Sequence, residues 1–297
     1  MKKYIAIIVL ALMVMSCEKE NFKESAVDDG AMRIEVLHPS TRATESAFES
    51  GDVIGLYATT YEGDEALPLQ ISGNWINNEA LTYNGNLWAG RRTFYWAEGT
   101  MDVYGYYPYM EPTTIIKHKW AVQTDQSIPA TEDALSAYEA SDFLWAKTEG
   151  VSSADGSVKL QFKHMCSKVV IKLVKGEKYT DAFPEDIDVY LYSTIPQALI
   201  NFTNGIVSKD PHGTKQKIKA RKVAIDTFEV IVVPQSILEY SPFVEIIMGK
   251  ITYMTEEIFT YHAGKEYIVS ITLDNSPQKI EINVGRWLGL ILQYSFD

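Results

Sequence analysis

A chain of 297 residues, 46% apolar and 22% charged, has the length of one large domain or two ordinary ones. It also has enough apolar side chains to pack a core, which argues against wholesale disorder. Its formal net charge of −12, with no basic stripe to offset it, argues against binding nucleic-acid phosphates.

Residues 1–16 carry the pattern of a secretion signal. Lys2 and Lys3 form a positive start, and Ile5 to Met15 form an apolar run too short to span a bilayer comfortably. The run closes on Val14-Met15-Ser16-Cys17, which resembles the lipobox of bacterial lipoproteins, so Cys17 is the expected lipid attachment point. Removal of residues 1–16 takes away two lysines and no acids and leaves a net charge of −14. With Cys17 lipidated, only Cys166 remains, and stability must come from burial rather than from an internal disulfide. No later segment has the length and apolarity of a membrane span, so the expected tether is lipid alone.

Residues 17–30 are polar and aperiodic and read as a linker. Met32, Ile34 and Val36 then alternate with Arg33 and Glu35, the period of a strand with one buried face. Pro39-Ser40-Thr41-Arg42-Ala43-Thr44 breaks that strand with small and polar residues, a composition suited to an accessible, protease-sensitive loop.

Short strands between turn signals follow. They are predicted at Val53–Tyr57, Leu81–Tyr83, Leu87-Trp88, Phe94–Trp96 and Met101–Tyr109, with Asn84-Gly85-Asn86 as a hairpin turn. Val158, Leu160 and Phe162 alternate after Ala154-Asp155-Gly156. The apolar face then shifts to Val169, Ile171 and Leu173, which predicts a bulge or bend near Cys166. Further strands are expected at Ile187–Tyr192, Phe228–Val233, Phe243–Met248, Tyr267–Leu273 and Ile280–Val284, and one short helix within Ala130–Ala140. Regular spacing of this kind indicates all-β sandwiches or barrels. The turn at Ser152–Gly156 and the crowding of tryptophans into the first half suggest two units, 31–153 and 154–297.

Several segments, taken in order, resemble the fimbrillin family of Bacteroidales, subunits of type V pili. They are Thr41–Thr44, Phe48–Tyr57, Val103–Tyr109, Asp142–Ala146, the most specific stretch Phe162–Val169, and Gly264–Tyr267 with Ile271–Leu273. The resemblance covers nearly the whole chain after the signal. It implies two transthyretin-like β-sandwich domains in tandem and export as an outer-membrane lipoprotein. It also implies an arginine-specific protease that removes a leader after Arg42, and other pilus subunits as partners. That cut would take away the strand of Met32, Ile34 and Val36 and leave a groove that another chain can fill by strand addition.

The end of the chain offers a filler. Leu288, Leu290, Leu292, Tyr294 and Phe296 alternate with Gly289, Ile291, Gln293 and Ser295. Burying five such side chains contributes about 10 kcal/mol, and ordering nine residues costs about as much. Ladder hydrogen bonds must then tip the balance. The same segment also fits a last strand kept in its own domain, and the sequence leaves both readings open.

The five histidines show no metal-ligand spacing, and no nucleophile elbow, phosphate loop or dinucleotide fingerprint occurs, so neither an enzyme nor a cofactor is expected. His164 reads as a satisfied structural histidine and Cys166 as a small core residue. The aromatic-rich stretch 75–145 supports core filling, with a glycan-binding or host-receptor-binding face as the rival. On that rival reading, Tyr104 and Tyr106 alternate opposite Val103, Gly105 and Tyr107, and at least one of the two sets faces outward.

Overall fold

The computed structural model describes residues 30–39, 47–274 and 277–287. The chain runs through β1 (Arg33–Leu37), β2 (Val53–Glu62), β3 (Glu65–Ala66), β4 (Ile76–Tyr83), β5 (Trp88–Gly90), β6 (Met101–Tyr107) and β7 (His118–Ala121). Next come β8 (Leu144–Val151), β9 (Ser157–Gln161), β10 (Lys163–His164), β11 (Ser167–Lys175), β12 (Ile187–Thr194), β13 (Gln197–Asn201) and β14 (Ile206–Lys209). Last are β15 (Gln216–Lys219), β16 (Arg221–Ala224), β17 (Thr227–Val232), β18 (Gln235–Met248), β19 (Ile251–Tyr261), β20 (Lys265–Leu273) and β21 (Pro277–Arg286).

The fold is all-β, as expected. In place of a helix within Ala130–Ala140 there is a 3-10 turn at Glu139–Ser141, where the Ser136 amide and hydroxyl both donate to Glu139 Oε2. Asn84-Gly85-Asn86 makes the predicted hairpin between β4 and β5: the Asn84 carboxamide oxygen accepts from the Asn86 and Leu87 amides, and Gly85 takes φ 90°. The run Phe94–Trp96 is not a strand. Tyr95 makes one isolated bridge, to Ala31.

A seven-stranded sheet, ordered β10-β8-β6-β2-β4-β5 with β3 on β2, forms the middle of the molecule. One of its faces carries Ile54, Leu56, Met101, Val103 and Tyr107 and, among the described residues, is covered by β1 and β9, where Met32 just before β1 and Val158 and Leu160 in β9 pack against it. Its other face carries Tyr57, Tyr104, Tyr106 and Phe143 into a second core, closed by the sheets β16-β17-β11-β20-β21 and β15-β12-β18-β19. Every residue of β6 is therefore buried, which removes the expectation that one set of its rings faces outward.

The two cores do not divide where the sequence suggested. Val158, Leu160 and Phe162 pack in the first core, so that core runs past the boundary expected at residues 153 and 154. In the other direction, β7 leaves the first half and pairs with β13 in the second. The change of core comes at Met165 and Cys166, between β10 and β11, where the shift in apolar face predicts a bend. Two further contacts fix one half on the other. Trp145 Nε1 donates to the Phe202 carbonyl at 2.8 Å, and the buried Gln126 side chain exchanges two hydrogen bonds with the Ile231 backbone. Gly205 lies so close to Trp145 that a Cβ there would sit 2.5 Å from the ring.

Candidate functional site

The strand expected to be removable is β1, and its surroundings differ from those of every strand inside the larger sheets. It pairs in parallel with β9, in the register Arg33 to Ser157 through Leu37 to Gln161, and together they make a sheet of two. Met32 is buried, while Ile34 and Val36 are half-buried against the first core; Arg33, Glu35 and Leu37 face solvent. The alternation legible in the sequence is thus the alternation of the fold.

The two ends of β1 are fastened separately. At its start, the Met32 amide donates to the Phe94 carbonyl at 2.8 Å and Ala31 bridges Tyr95. At its finish, the Phe162 amide donates to the Leu37 carbonyl at 3.0 Å, and Gln161 Nε2 donates to the carbonyls of Leu37 and His38 at 3.5 and 3.3 Å. Removing β1 would leave a slot between β9 and the 94–95 segment, floored by the first core.

A cluster of rings closes the far end of this slot. His38 meets Phe48 edge-on at 4.9 Å and His164 at 6.0 Å. His164 is buried, lies 2.9 Å from Asp142 Oδ2, and stacks flat on Trp287 at 3.7 Å. It is the satisfied structural histidine that the sequence indicated. Burial, reinforced by neighbouring His164 and only partly opposed by Asp142, pushes the His38 pKa down to about 4. The cluster joins the end of β1, the segment that follows it, the β10 turn and the last described residue. These four are far apart in sequence, and nothing in their spacing announces the meeting.

A cleft of about 720 Å³ opens beside the cluster, between His38, Phe48, Asp52, Tyr109, Tyr138 and Trp287. Asp52 accepts from the Glu49 amide at 2.7 Å and from Tyr107 Oη at 2.9 Å, and burial raises its pKa against the pull of those bonds. No group of three or more metal-ligating side chains occurs among the described residues. Cys166 is fully buried, and burial pushes its thiol far above the range of a nucleophile. Of the aromatic residues in 75–145, Tyr104 and Tyr106 lie inside. Trp75 and Tyr95 are exposed, with Trp75 Nε1 donating to the Tyr95 carbonyl at 2.8 Å.

Met32, just before β1, and Ile34 and Val36 within it meet in the first core. Cys17, Arg42 and the segment Leu288, Leu290, Leu292, Tyr294 and Phe296 lie outside the described residues. The described residues nearest Arg42, Pro39 and Ala47, stand on either side of it in the chain, and Trp287 directly precedes Leu288.

Known proteins share this architecture. Over 97% of its length the chain is 24% identical to a Bacteroides uniformis protein provisionally named fimbrium subunit Fim1C, of which the match covers 96%. A second relative, from Bacteroides ovatus and provisionally named fimbrium tip subunit Fim1C, is 29% identical over 164 residues. That match takes in 48% of this chain and 28% of the relative. Two crystal structures described as those of cell adhesion proteins share the fold. The one from Bacteroides uniformis superposes with a TM-score of 0.67 at 22% identity over 87% of this chain and 100% of that one. The one from Bacteroides ovatus gives 0.68 at 20% identity over 88% and 99%. The fimbrillin-like family model matches residues 41–287, from the segment after β1 to the last described residue. The chain belongs to the fimbrillin-like family.

Proposed function

We propose that this protein is a subunit of a cell-surface fimbrium, exported as a lipoprotein through Cys17 and matured by an arginine-specific protease that cuts after Arg42. The cut detaches β1, and a strand from another subunit takes its place beside β9. Family membership and the names of the two relatives support the fimbrial role. One observation carries the maturation step. β1 is half of a two-stranded layer, so its loss opens one whole edge of β9 and uncovers the apolar side chains of the first core. A free strand edge beside an apolar slot is a template for strand addition.

Limited proteolysis of the soluble precursor with an arginine-specific protease tests this, read by N-terminal sequencing and size-exclusion chromatography. The expected product has a new terminus at Ala43 and forms a ladder of oligomers, and deleting 288–297 abolishes the ladder. Resistance of Arg42, or a cut product that stays monomeric, would favour a protein that remains anchored and binds a glycan or host protein without polymerising.

A further inference from the structure

Large apolar side chains gather on the surface at the corner where the chain enters the fold. Ala31 bridges Tyr95, and Trp75 Nε1 donates to the carbonyl of the same Tyr95 at 2.8 Å. Ile71 belongs to this corner too, because the Asn74 carboxamide ties the turn that leads into Trp75. It accepts from the Gln70 amide at 3.0 Å and donates to the Gln70 carbonyl at 2.7 Å. Trp75 is 47% exposed, Tyr95 52% and Ile71 41%, and all three lie outside the two cores. The hydrogen bond anchors the indole at its nitrogen while half of the residue stays in solvent.

We propose that this corner rests on the lipid surface in which Cys17 is anchored, with Trp75, Tyr95 and Ile71 at the level of the headgroups. The proposal rests on the lipoprotein reading above and adds the face that the anchored precursor turns to the membrane.

The tether selects the lipid as the occupant. Residues 18–29 join Cys17 to Gly30, so even a fully extended chain holds Gly30 within about 45 Å of the anchor. That leash keeps the corner at high effective concentration beside the surface, where weak apolar contacts suffice. The side chains fit the place. Trp and Tyr settle at a membrane–water boundary because each joins an apolar ring to a polar tip. Three of the chain's six arginines also lie here, Arg33 two residues beyond Ala31 and Arg91 and Arg92 just before Tyr95. All three are exposed. Arg92 pairs with Glu79 at 2.8 Å, which leaves Arg33 and Arg91 to meet lipid phosphates, although the chain as a whole carries −12.

Such a seat orients the precursor. The backbone rises about 20 Å from Ala31 to Leu37, so the finishing end of β1 stands away from the corner. The chain continues from there toward Arg42, on the side turned to a protease in solution. The cut removes the tether and Arg33 together, and the remaining contacts lose the leash that made them sufficient.

Quenching by brominated lipid tests this in the lipidated precursor, reconstituted on vesicles of phosphatidylethanolamine and phosphatidylglycerol. Flotation with the vesicles is read alongside tryptophan fluorescence for the native chain, Trp75→Phe and Trp88→Phe. Trp88 serves as the control because it packs against Phe48, beside the ring cluster at the finishing end of β1. The expected result is bromine-dependent quenching in the native chain that is mostly lost in Trp75→Phe and kept in Trp88→Phe. Equal quenching in the native chain and Trp75→Phe would overturn the proposal, as would its loss in Trp88→Phe instead. A precursor that floats without any quenching would also overturn it, while leaving the lipid anchor intact. A precursor that does not float would overturn the anchor and this proposal with it.

Discussion

Among the described residues two strand pairs run parallel, and they hold very different positions. β11 and β20 pair over eight residues, from Lys168 with Glu266 to Lys175 with Leu273, in the middle of a five-stranded sheet flanked by β17 and β21. Val169, Ile171, Val269 and Ile271 are fully buried. β1 and β9 pair over five residues and form a sheet alone. The ladder geometry is the same in kind, so parallel pairing does not make one pair permanent and the other removable. Neighbours do: β11 and β20 are held on both edges and in a packed core, whereas β1 is held along one edge, at two fastened ends and by half-buried side chains.

The largest test of that contrast leaves every ladder bond intact. Lys168 is buried between Glu229 at 3.0 Å and Glu266 at 3.3 Å, and Arg221 reaches Glu229 at 2.6 Å, so charges cross four adjacent strands of the five-stranded sheet. Burial alone would raise the Glu229 pKa, but Lys168 and Arg221 outweigh it and hold the carboxyl below its usual range. Lys168→Met strands buried carboxylates and is expected to cost about 3–5 kcal/mol of global stability in denaturant unfolding. A near-neutral result would mean that the ladder alone holds the pair. Ile271→Ala in β20 is expected to cost about 2–5 kcal/mol, with the loss again global.

Ile34→Ala in β1 sharpens the comparison from the other side. It is expected to weaken docking of the strand by about 1–2 kcal/mol, since Ile34 is only half-buried. That loss appears as faster cleavage after Arg42 at unchanged global stability. A fall in the global transition matching that of Ile271→Ala would erase the distinction between the two pairs.

A further test is pH. His38 is held neutral beside His164, Asp142 and Phe48, with its pKa near 4 against an ordinary 6.5 when β1 is free. The free strand therefore binds the proton more readily. Docking is at full strength above pH 6.5 and weakens as pH falls toward 4, by at most about tenfold per pH unit. Cleavage or amide exchange corrected for intrinsic rates should accelerate over that window in the native protein, and a His38→Phe variant should flatten the profile. An unchanged profile in that variant would remove His38 from the account.

How much of this could be read in the sequence follows the range of the interactions. The strand of Met32, Ile34 and Val36 is legible because alternation is local, and so are the Asn84-Gly85-Asn86 hairpin and the change of face near Cys166. The partner of β1 is not legible, because Ile34 meets Val158 across more than a hundred residues and no local rule links them. The length of β18 is hidden by Pro242 and by the register shift between Ile237 and Ser241, where Leu238 and Tyr240 project into solvent. The run Met101–Tyr107 reads as a half-exposed strand because rings alternate along it, yet a core lies on each of its faces. The ring cluster of His38, Phe48, His164 and Trp287 is tertiary throughout, and it is what locates the finishing end of the groove.

Amide hydrogen exchange along Ser157–Phe162, compared between the precursor and the freshly cut monomer before it assembles, tests the central claim most directly. The account predicts that protection in β9 collapses when β1 leaves while protection in β11 and β20 is unchanged. Retained protection in β9 would show that β1 is not what covers that edge. Loss across both halves of the chain would show that β1 is part of the folded body rather than a removable cover.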